Sequence, residues 1–348
     1  MKNKAIDEIK DLLQDKQKKI LLVSHVNPDG DAVGSLLAFY QYLKVKEFEN
    51  IEMILPNAFP SFLEWMPGTD MIKIATENGH MARKTIKYAD IIFCLDFNHY
   101  ERSDQLEAHL EKSNAIKVLI DHHPDPAGTF HISFSVSETS STAELIYDLI
   151  AGFKDEKLLN QNIAQCIYAG IVTDTGSFSY SCNYPQTYQK IAKLIETGID
   201  GEKIHRMIYD TYSESRLRLL GYCLSERLVV MEEHKTAYIY LTKNDLKKFD
   251  YKDGDTEGVV NYALSMKNIA LGVIFIERKE IIKISFRSEG DLNVNILARK
   301  YFNGGGHKNA AGGNFKDSLQ NTLKYFEKIV RSFSQDNFKA VQSDAINQ

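Results

Sequence analysis

Three short apolar runs in the first half of this chain end on acid or imidazole. Ile20-Leu21-Leu22-Val23 leads through Ser24 to His25 and on to Asn27-Pro28-Asp29-Gly30-Asp31. Ile91-Ile92-Phe93-Cys94-Leu95 stops at Asp96, and Lys117-Val118-Leu119-Ile120 runs into Asp121-His122-His123. Runs this short, rich in branched residues and bounded by polar ones, read as buried parallel strands. In an open parallel sheet, ligands bind in the crevice beyond the carboxyl ends of the strands. Strand ends that carry Asp and His therefore point to a single metal site.

The surrounding pattern fits such a sheet. Ile6, Ile9, Leu12 and Leu13 share one face, so residues 5–16 read as an amphipathic helix. Ala32 to Leu43 is helical by spacing, and Ile51 to Leu55 is a strand stopped by Pro56. This βα alternation predicts a doubly wound α/β domain. From Ser141 to Arg227 the reading is mostly helical, with helices over 142–150, 163–172, 185–196 and 215–227. Pro185 stands in a first turn. Strands follow at 228–231, 236–241, 270–276 and 281–286. A catalytic domain over 1–190, a helical linker over 191–227 and a smaller α+β domain over 228–340 are expected, two domains being the usual division for 348 residues. The polar tail from Ser334 reads as frayed.

Composition removes several classes of function. With 43% hydrophobic and 26% charged residues the chain reads as an ordinary soluble globular protein. A net charge of −5 argues against coating nucleic acid by bulk electrostatics, though a local basic groove stays open. No apolar stretch reaches the ~20 residues of a bilayer span, and Met1 to Glu8 lacks the apolar core of a signal peptide. No membrane is expected as a partner. Cys94, Cys166, Cys182 and Cys223 are widely spaced and read as reduced thiols of a cytoplasmic protein.

The chemistry concentrates where the sheet would gather it. His25, Asp29 and Asp31 lie on one loop that Pro28 and Gly30 allow to curl. Imidazole with carboxylate suits Mn²⁺, Fe²⁺ or Co²⁺, and Ca²⁺ less well. Asp96 could bridge two ions, His122 and His123 add imidazole, and Asp174 follows an apolar helix with one more carboxylate. Asp29, Asp31, Asp96 and Asp174 carry four negative charges, which two divalent cations neutralise. Water held by two such Lewis acids ionises near neutrality and can attack phosphorus in line. Taken singly, each motif has a blander explanation. A strand-end Asp is commonly a helix N-cap, His25 could be a core histidine, and Asp121 reads as a hydrogen-bonding orienter of a histidine. Their concentration favours the metal site. In the second half, Phe302-Asn303-Gly304-Gly305-Gly306-His307-Lys308 would let backbone N–H groups approach an anion, and Arg287 beside Ser288 supplies a planar fork. A tight turn between strand and helix is the alternative for the glycines.

Together these motifs resemble the DHH phosphoesterase family. Asp121-His122-His123 matches its name-giving motif, His25-Val26-Asn27-Pro28-Asp29-Gly30-Asp31 its first motif, and Gly304-Gly305-Gly306-His307 the signature of its associated C-terminal domain. The resemblance covers almost the whole chain. It implies a hydrolase using two Mn²⁺, replaceable by Co²⁺, Fe²⁺ or Mg²⁺, with an active site in a cleft between two lobes. One ion would take His25, Asp29 and Asp96, the other Asp31, Asp96, His122 and Asp174. His123, held by Asp121, would face the scissile phosphate. Arg287, Ser288, Gly305, Gly306 and His307 would hold the substrate's far end, and Arg102 either reaches the cleft or makes a surface ion pair. The layout resembles the NrnA-type bifunctional oligoribonucleases, which also dephosphorylate 3′-phosphoadenosine 5′-phosphate (pAp). Short RNA or nucleotides are the expected partners, and a homodimer is left open. Cyclic di-AMP or linear dinucleotide hydrolysis is the alternative activity. A non-catalytic nucleotide- or RNA-binding module is the alternative of another class.

Overall fold

The computed structural model describes residues 2–252 and 254–332. The end of the expected C-terminal domain, 333–340, and the polar tail fall outside them. The chain divides into two units, with the break between Thr211 and Tyr212.

The first unit runs α1 (Lys2–Leu12), β1 (Ile20–Val23), α2 (Gly30–Val45), β2 (Ile51–Leu55), β3 (Ile72–Ile74), α3 (Gly79–Tyr88), β4 (Ile91–Leu95), α4 (Glu107–Lys112), β5 (Ile116–Asp121), β6 (Ile132–Ser135), α5 (Thr142–Gly152), α6 (Gln161–Asp174), α7 (Pro185–Glu196) and α8 (Gly201–Tyr209). Its strands pair in parallel in the order β3-β2-β1-β4-β5-β6. Both faces of the sheet are covered. Leu22, Phe93 and Val118 point into a core shared with α2, α5 and α6. Leu21, Ile92 and Leu119 point the other way, against α3 and α4. Burial on both sides explains the unbroken apolar runs. The strand order reverses between β1 and β4, the switch point where such sheets bind ligands. His25 follows β1, and Asp96 follows β4 directly.

Helices α2 and α6 approach closely over this site. A Cβ on Gly34 would stand 2.7 Å from the Cys166 carbonyl oxygen and 3.0 Å from the Gly170 nitrogen. One on Gly170 would stand 2.5 Å from the Ala143 Cβ and 3.0 Å from Asp31 Oδ1. Glycine at both places lets α2, α5 and α6 meet around Asp31.

The second unit comprises α9 (Glu214–Glu226), β7 (Leu228–Met231), β8 (Thr236–Leu241), α10 (Lys243–Lys248), α11 (Val259–Leu264), β9 (Leu271–Glu277), β10 (Ile282–Ser288), α12 (Val294–Tyr301), β11 (Gly305–Gly306), β12 (Ala310–Phe315) and α13 (Leu319–Ser332). Its mixed sheet has the order β11-β12-β10-β9-β8-β7. Side chains alternate across it: Phe275 and Phe286 pack with Phe302 and Phe326 on one face, while Ile274 and Ile276 pack with Leu219 and Cys223 on the other. The stretch expected as a connector thus contributes α9 to this unit's core. All four cysteines are buried and unpaired. No helix among the described residues is long and apolar enough to cross a membrane.

Candidate metal centre

The loops after β1 and β4 are shaped by backbone that few residues tolerate. Asn27 has φ 55° and Asp96 φ 64°, both left-handed. Asn and Asp accept that region better than other side chains, and such strain concentrates at functional sites. Ser24 Oγ donates to the Leu95 carbonyl at 2.7 Å, tying the ends of β1 and β4 together. The Val26 N–H donates to the Arg102 carbonyl at 2.7 Å.

Three groups of donor atoms include Asp96, one of them with Asp121 and His123 and two around its opposite oxygens. His25, Asp29 and Asp96 offer ligand atoms within 4.8 Å of one another, and so do Asp31, Asp96 and His122. Asp96 divides its oxygens between them. Oδ2 lies 3.3 Å from His25 Nε2, and Oδ1 lies 3.5 Å from His122 Nε2. His122 Nε2 is also 3.7 Å from Asp31 Oδ2 and 3.5 Å from Asp174 Oδ2. Asp31 and Asp96 are buried, whereas the side chains of Asp29 and Asp174 are 47% and 25% exposed. The centre therefore opens to solvent on the side of those two carboxylates. Asp29 does double duty, because its Oδ1 also accepts from the Asp31 and Ala32 N–H groups as the N-cap of α2.

The donor set fits divalent cations. His25 Nδ1 lies 2.9 Å from the Val26 carbonyl, which can only accept, so Nδ1 carries the proton and Nε2 has a bare lone pair. That Nε2 is buried without a hydrogen-bond partner, its approach to Asp96 lacking hydrogen-bond alignment. Burial, then Asp96, Asp174 and Asp29, push the Asp31 carboxyl well up from its ordinary range. Burial also pushes Asp96 up, but with His25 and His122 protonated those rings and Arg102 outweigh it and hold that carboxyl at about 2. Crowded carboxylates retain a proton unless a positive charge replaces it.

Beside this centre, His123 is held from both ends. Arg102 Nη1 lies 2.8 Å from His123 Nε2, and a guanidinium can only donate. Nδ1 therefore bears the ring proton and donates to Asp121 Oδ1 at 2.7 Å. Asp121 is fully buried beneath the ring, so it acts by orienting His123. Burial, then Asp96, raise its carboxyl well above the usual range. Arg102 makes no surface ion pair among the described residues; its guanidinium sits on His123.

The remaining candidates belong to the second unit. Arg287 lies on β10, where Nη1 donates to the Phe286 carbonyl at 3.0 Å and Nε is buried without a partner. Ser288 is a loop brace, its Oγ donating to the Leu292 carbonyl at 2.6 Å and accepting from Asn309 Nδ2 at 3.0 Å. Glycine is required at Gly304, where a Cβ would meet the Gly312 oxygen at 1.9 Å, and at Gly306, whose φ is 143°. Gly305 has ordinary space around it, 3.7 Å to the nearest atom. His307 closes the turn, its N–H donating to the Ala310 carbonyl at 2.7 Å.

The sequence reading passed over the first turn of α5. Asp31 Oδ2 accepts from the Thr142 N–H at 2.7 Å, and Oδ1 accepts from the Ala143 N–H at 2.8 Å. Thr142 Oγ1 donates to Asp96 Oδ1 at 2.9 Å. The run Ser140-Ser141-Thr142 before Glu144 signals a helix start. Nothing local reveals that this start faces an aspartate 111 residues away.

The chain is similar to known proteins along most of its length. Residues 19–171 match the DHH family, N-terminal domain, and residues 234–332 match the DHHA1 domain. The bifunctional oligoribonuclease and PAP phosphatase NrnA of Bacillus subtilis (strain 168) is 30% identical over 296 residues, 84% of this chain and 88% of that protein. The chain belongs to the DHH family. An exopolyphosphatase-related protein of known structure, from Bacteroides fragilis, is 42% identical with a TM-score of 0.90, over 97% of this chain and 98% of the other. RecJ of Thermus thermophilus, solved in complex with Mn²⁺, superposes with a TM-score of 0.54 at 15% identity, covering 95% of this chain and 55% of RecJ. At that identity RecJ speaks for the fold alone.

Proposed function

We propose that this DHH-family protein is a two-cation phosphoesterase. It hydrolyses short oligoribonucleotides from an end, releasing nucleoside monophosphates, and removes the 3′-phosphate of pAp. The observation that carries the reading is Asp96, whose two oxygens face two separate His/Asp groups. The NrnA relative, matched along most of both chains, supports the substrate class.

His25, Asp29 and Asp96 would hold one cation, and Asp31, Asp96, His122 and Asp174 the other. Imidazole among the donors favours Mn²⁺, Co²⁺ or Fe²⁺ over Mg²⁺, which prefers oxygen and keeps its waters. Two such cations would acidify water and polarise a phosphoryl oxygen. The protein supplies the rest. Arg102, lodged against His123, carries the positive charge that pairs with the equatorial phosphoryl oxygens. Asp121 holds His123 in one tautomer, and the Nε2 lone pair of that ring holds the Arg102 guanidinium. Arg287, Gly305 and His307 take the substrate's terminal phosphate or nucleotide.

A second reading comes from the exopolyphosphatase-related neighbour: release of a terminal phosphate from a polyphosphate chain. One experiment separates the two. The Mn²⁺-loaded protein is assayed at one salt concentration against a diribonucleotide, a long RNA, pAp, pyrophosphate and polyphosphate. The highest kcat/KM on the diribonucleotide or pAp is expected. Polyphosphate or pyrophosphate as best substrate would overturn the proposal and leave only the metal chemistry.

A further inference from the structure

We propose that Thr142 is a positioning residue whose hydroxyl fixes the Asp96 carboxylate so that Oδ1 serves the Asp31/His122 cation and Oδ2 the His25/Asp29 cation. The inference rests on the two-cation reading above.

A carboxylate whose two oxygens face two donor groups can present one oxygen to each ion, and its terminal torsion is broad and roughly two-fold. Something must hold that torsion. The backbone of Asp96 is fixed by its left-handed φ of 64° and by its N–H donating to the Ile120 carbonyl at 3.1 Å. Neither restrains the carboxylate's rotation. Thr142 Oγ1 does, at 2.9 Å from Oδ1. A hydroxyl facing an ionised carboxylate can only donate, so it takes one lone pair of Oδ1 and leaves the other toward His122, 3.5 Å away.

The same residue aligns the neighbouring ligand. Its N–H and that of Ala143 hold both oxygens of Asp31. Two of the seven proposed ligand bonds, Asp96 Oδ1 and Asp31, thus depend on one helical turn, and both belong to the same cation.

That turn is itself braced. Ser140, Ser141 and Thr142 are fully buried. Glu144 Oε2 accepts from Ser140 Oγ at 2.6 Å and from Thr187 Oγ1 at 2.8 Å. Its Oε1 pairs with Lys190 Nζ at 2.7 Å, and Lys190 reaches Asp148 at 2.6 Å. Helix α7 therefore locks the start of α5, and Thr142 cannot follow Asp96 if the carboxylate turns. A donor held this rigidly sets geometry as well as charge.

The test is equilibrium Mn²⁺ binding to the chelator-stripped full chain, followed by the electron paramagnetic resonance of free Mn²⁺. Thr142→Val keeps the shape and removes the hydroxyl, and Thr142→Ser keeps the hydroxyl. Thr142→Ala serves if the valine variant does not fold. Loss of the hydroxyl is expected to weaken one of the two binding steps about 10- to 100-fold, the range for groups behind metal ligands, with the other step little changed. Thr142→Ser should restore the weakened step. Wild-type binding by Thr142→Val, equal weakening of both steps, or a serine variant as poor as valine would overturn the proposal. Asp96→Ala is the control. If it binds Mn²⁺ as well as wild type, the two-cation reading fails as a whole. If it loses Mn²⁺ while Thr142→Val does not, only the role of Thr142 fails.

Discussion

Replacing Gly34 by Ala tests whether the crossing of α2 and α6 sets the centre. The added Cβ would stand 2.7 Å from the Cys166 carbonyl oxygen, 3.0 Å from the Gly170 nitrogen and 3.1 Å from its Cα. All three are backbone atoms of α6, so no side chain can swing away. The helices must separate, and overpacking of this kind costs roughly 1–3 kcal/mol. The upper end applies because the obstacle is rigid. Alanine in a helix interior returns about 1 kcal/mol through propensity. The net loss is about 2 kcal/mol, which lowers Tm by roughly 4–8 °C in a unit of this size. The displacement also reaches function. Asp31 stands one turn before Gly34 on α2, and Asp174 ends α6 one turn after Gly170. Both carboxylates face His122 Nε2, at 3.7 and 3.5 Å. Thermal melts of stripped and Mn²⁺-loaded protein should show a lower Tm in both states and a smaller rise on adding metal. A Tm equal to or above that of wild type would refute the packing argument.

Other expectations follow from single contacts. Arg102→Ala should lower kcat/KM by roughly a hundredfold, the usual loss of one charge-stabilising donor, with metal content unchanged on a binding assay. In the second unit, Asp245 accepts from Arg227 Nε and Nη2, each at 2.9 Å, and from Tyr222 Oη at 2.9 Å. Burial would raise this carboxyl, but Arg227, Thr242 and Tyr222 outweigh it and hold it well below the usual range. A depressed carboxylate stabilises above its unfolded pKa and loses that contribution as pH falls. Asp245→Asn should therefore cost about 2 kcal/mol in urea unfolding at neutral pH, with the gap from wild type closing below about pH 4. Arg287→Ala should raise KM for a diribonucleotide while Mn²⁺ affinity stays at the wild-type value.

Much of this site was legible because its residues sit at the ends of apolar runs. His25 and Asp96 each follow a strand that is buried on both faces, Asp121 ends one and His122-His123 follow it, and such strands announce themselves by composition. Helix α7 begins at Pro185, as its first-turn proline indicates. Strands β3, β6 and β12 were not legible. β3 has only three residues, all partly exposed, and β6 alternates serine with apolar residues. β12 opens with Ala310-Ala311-Gly312-Gly313, a composition that reads as a loop. It is a strand because glycine lets β11 come close: no Cβ fits at Gly304 against the Gly312 oxygen. At Ser288 the fold adds a contact that its place beside Arg287 does not announce, the hydroxyl holding a loop. Thr142 was invisible for a different reason. Its partners, Asp31 and Asp96, are brought to it only by the sheet order.

The central claim is that one carboxylate, Asp96, joins two cation sites. Calorimetric titration of Mn²⁺ into stripped wild-type protein and into Asp96→Ala tests it directly, with hydrolysis of a diribonucleotide measured in parallel. Two equivalents bound by wild type are predicted, with both steps weakened in the variant and hydrolysis lost in the variant and in excess chelator. A variant that still binds two equivalents tightly, or that hydrolyses the dinucleotide at the wild-type rate, would contradict the account.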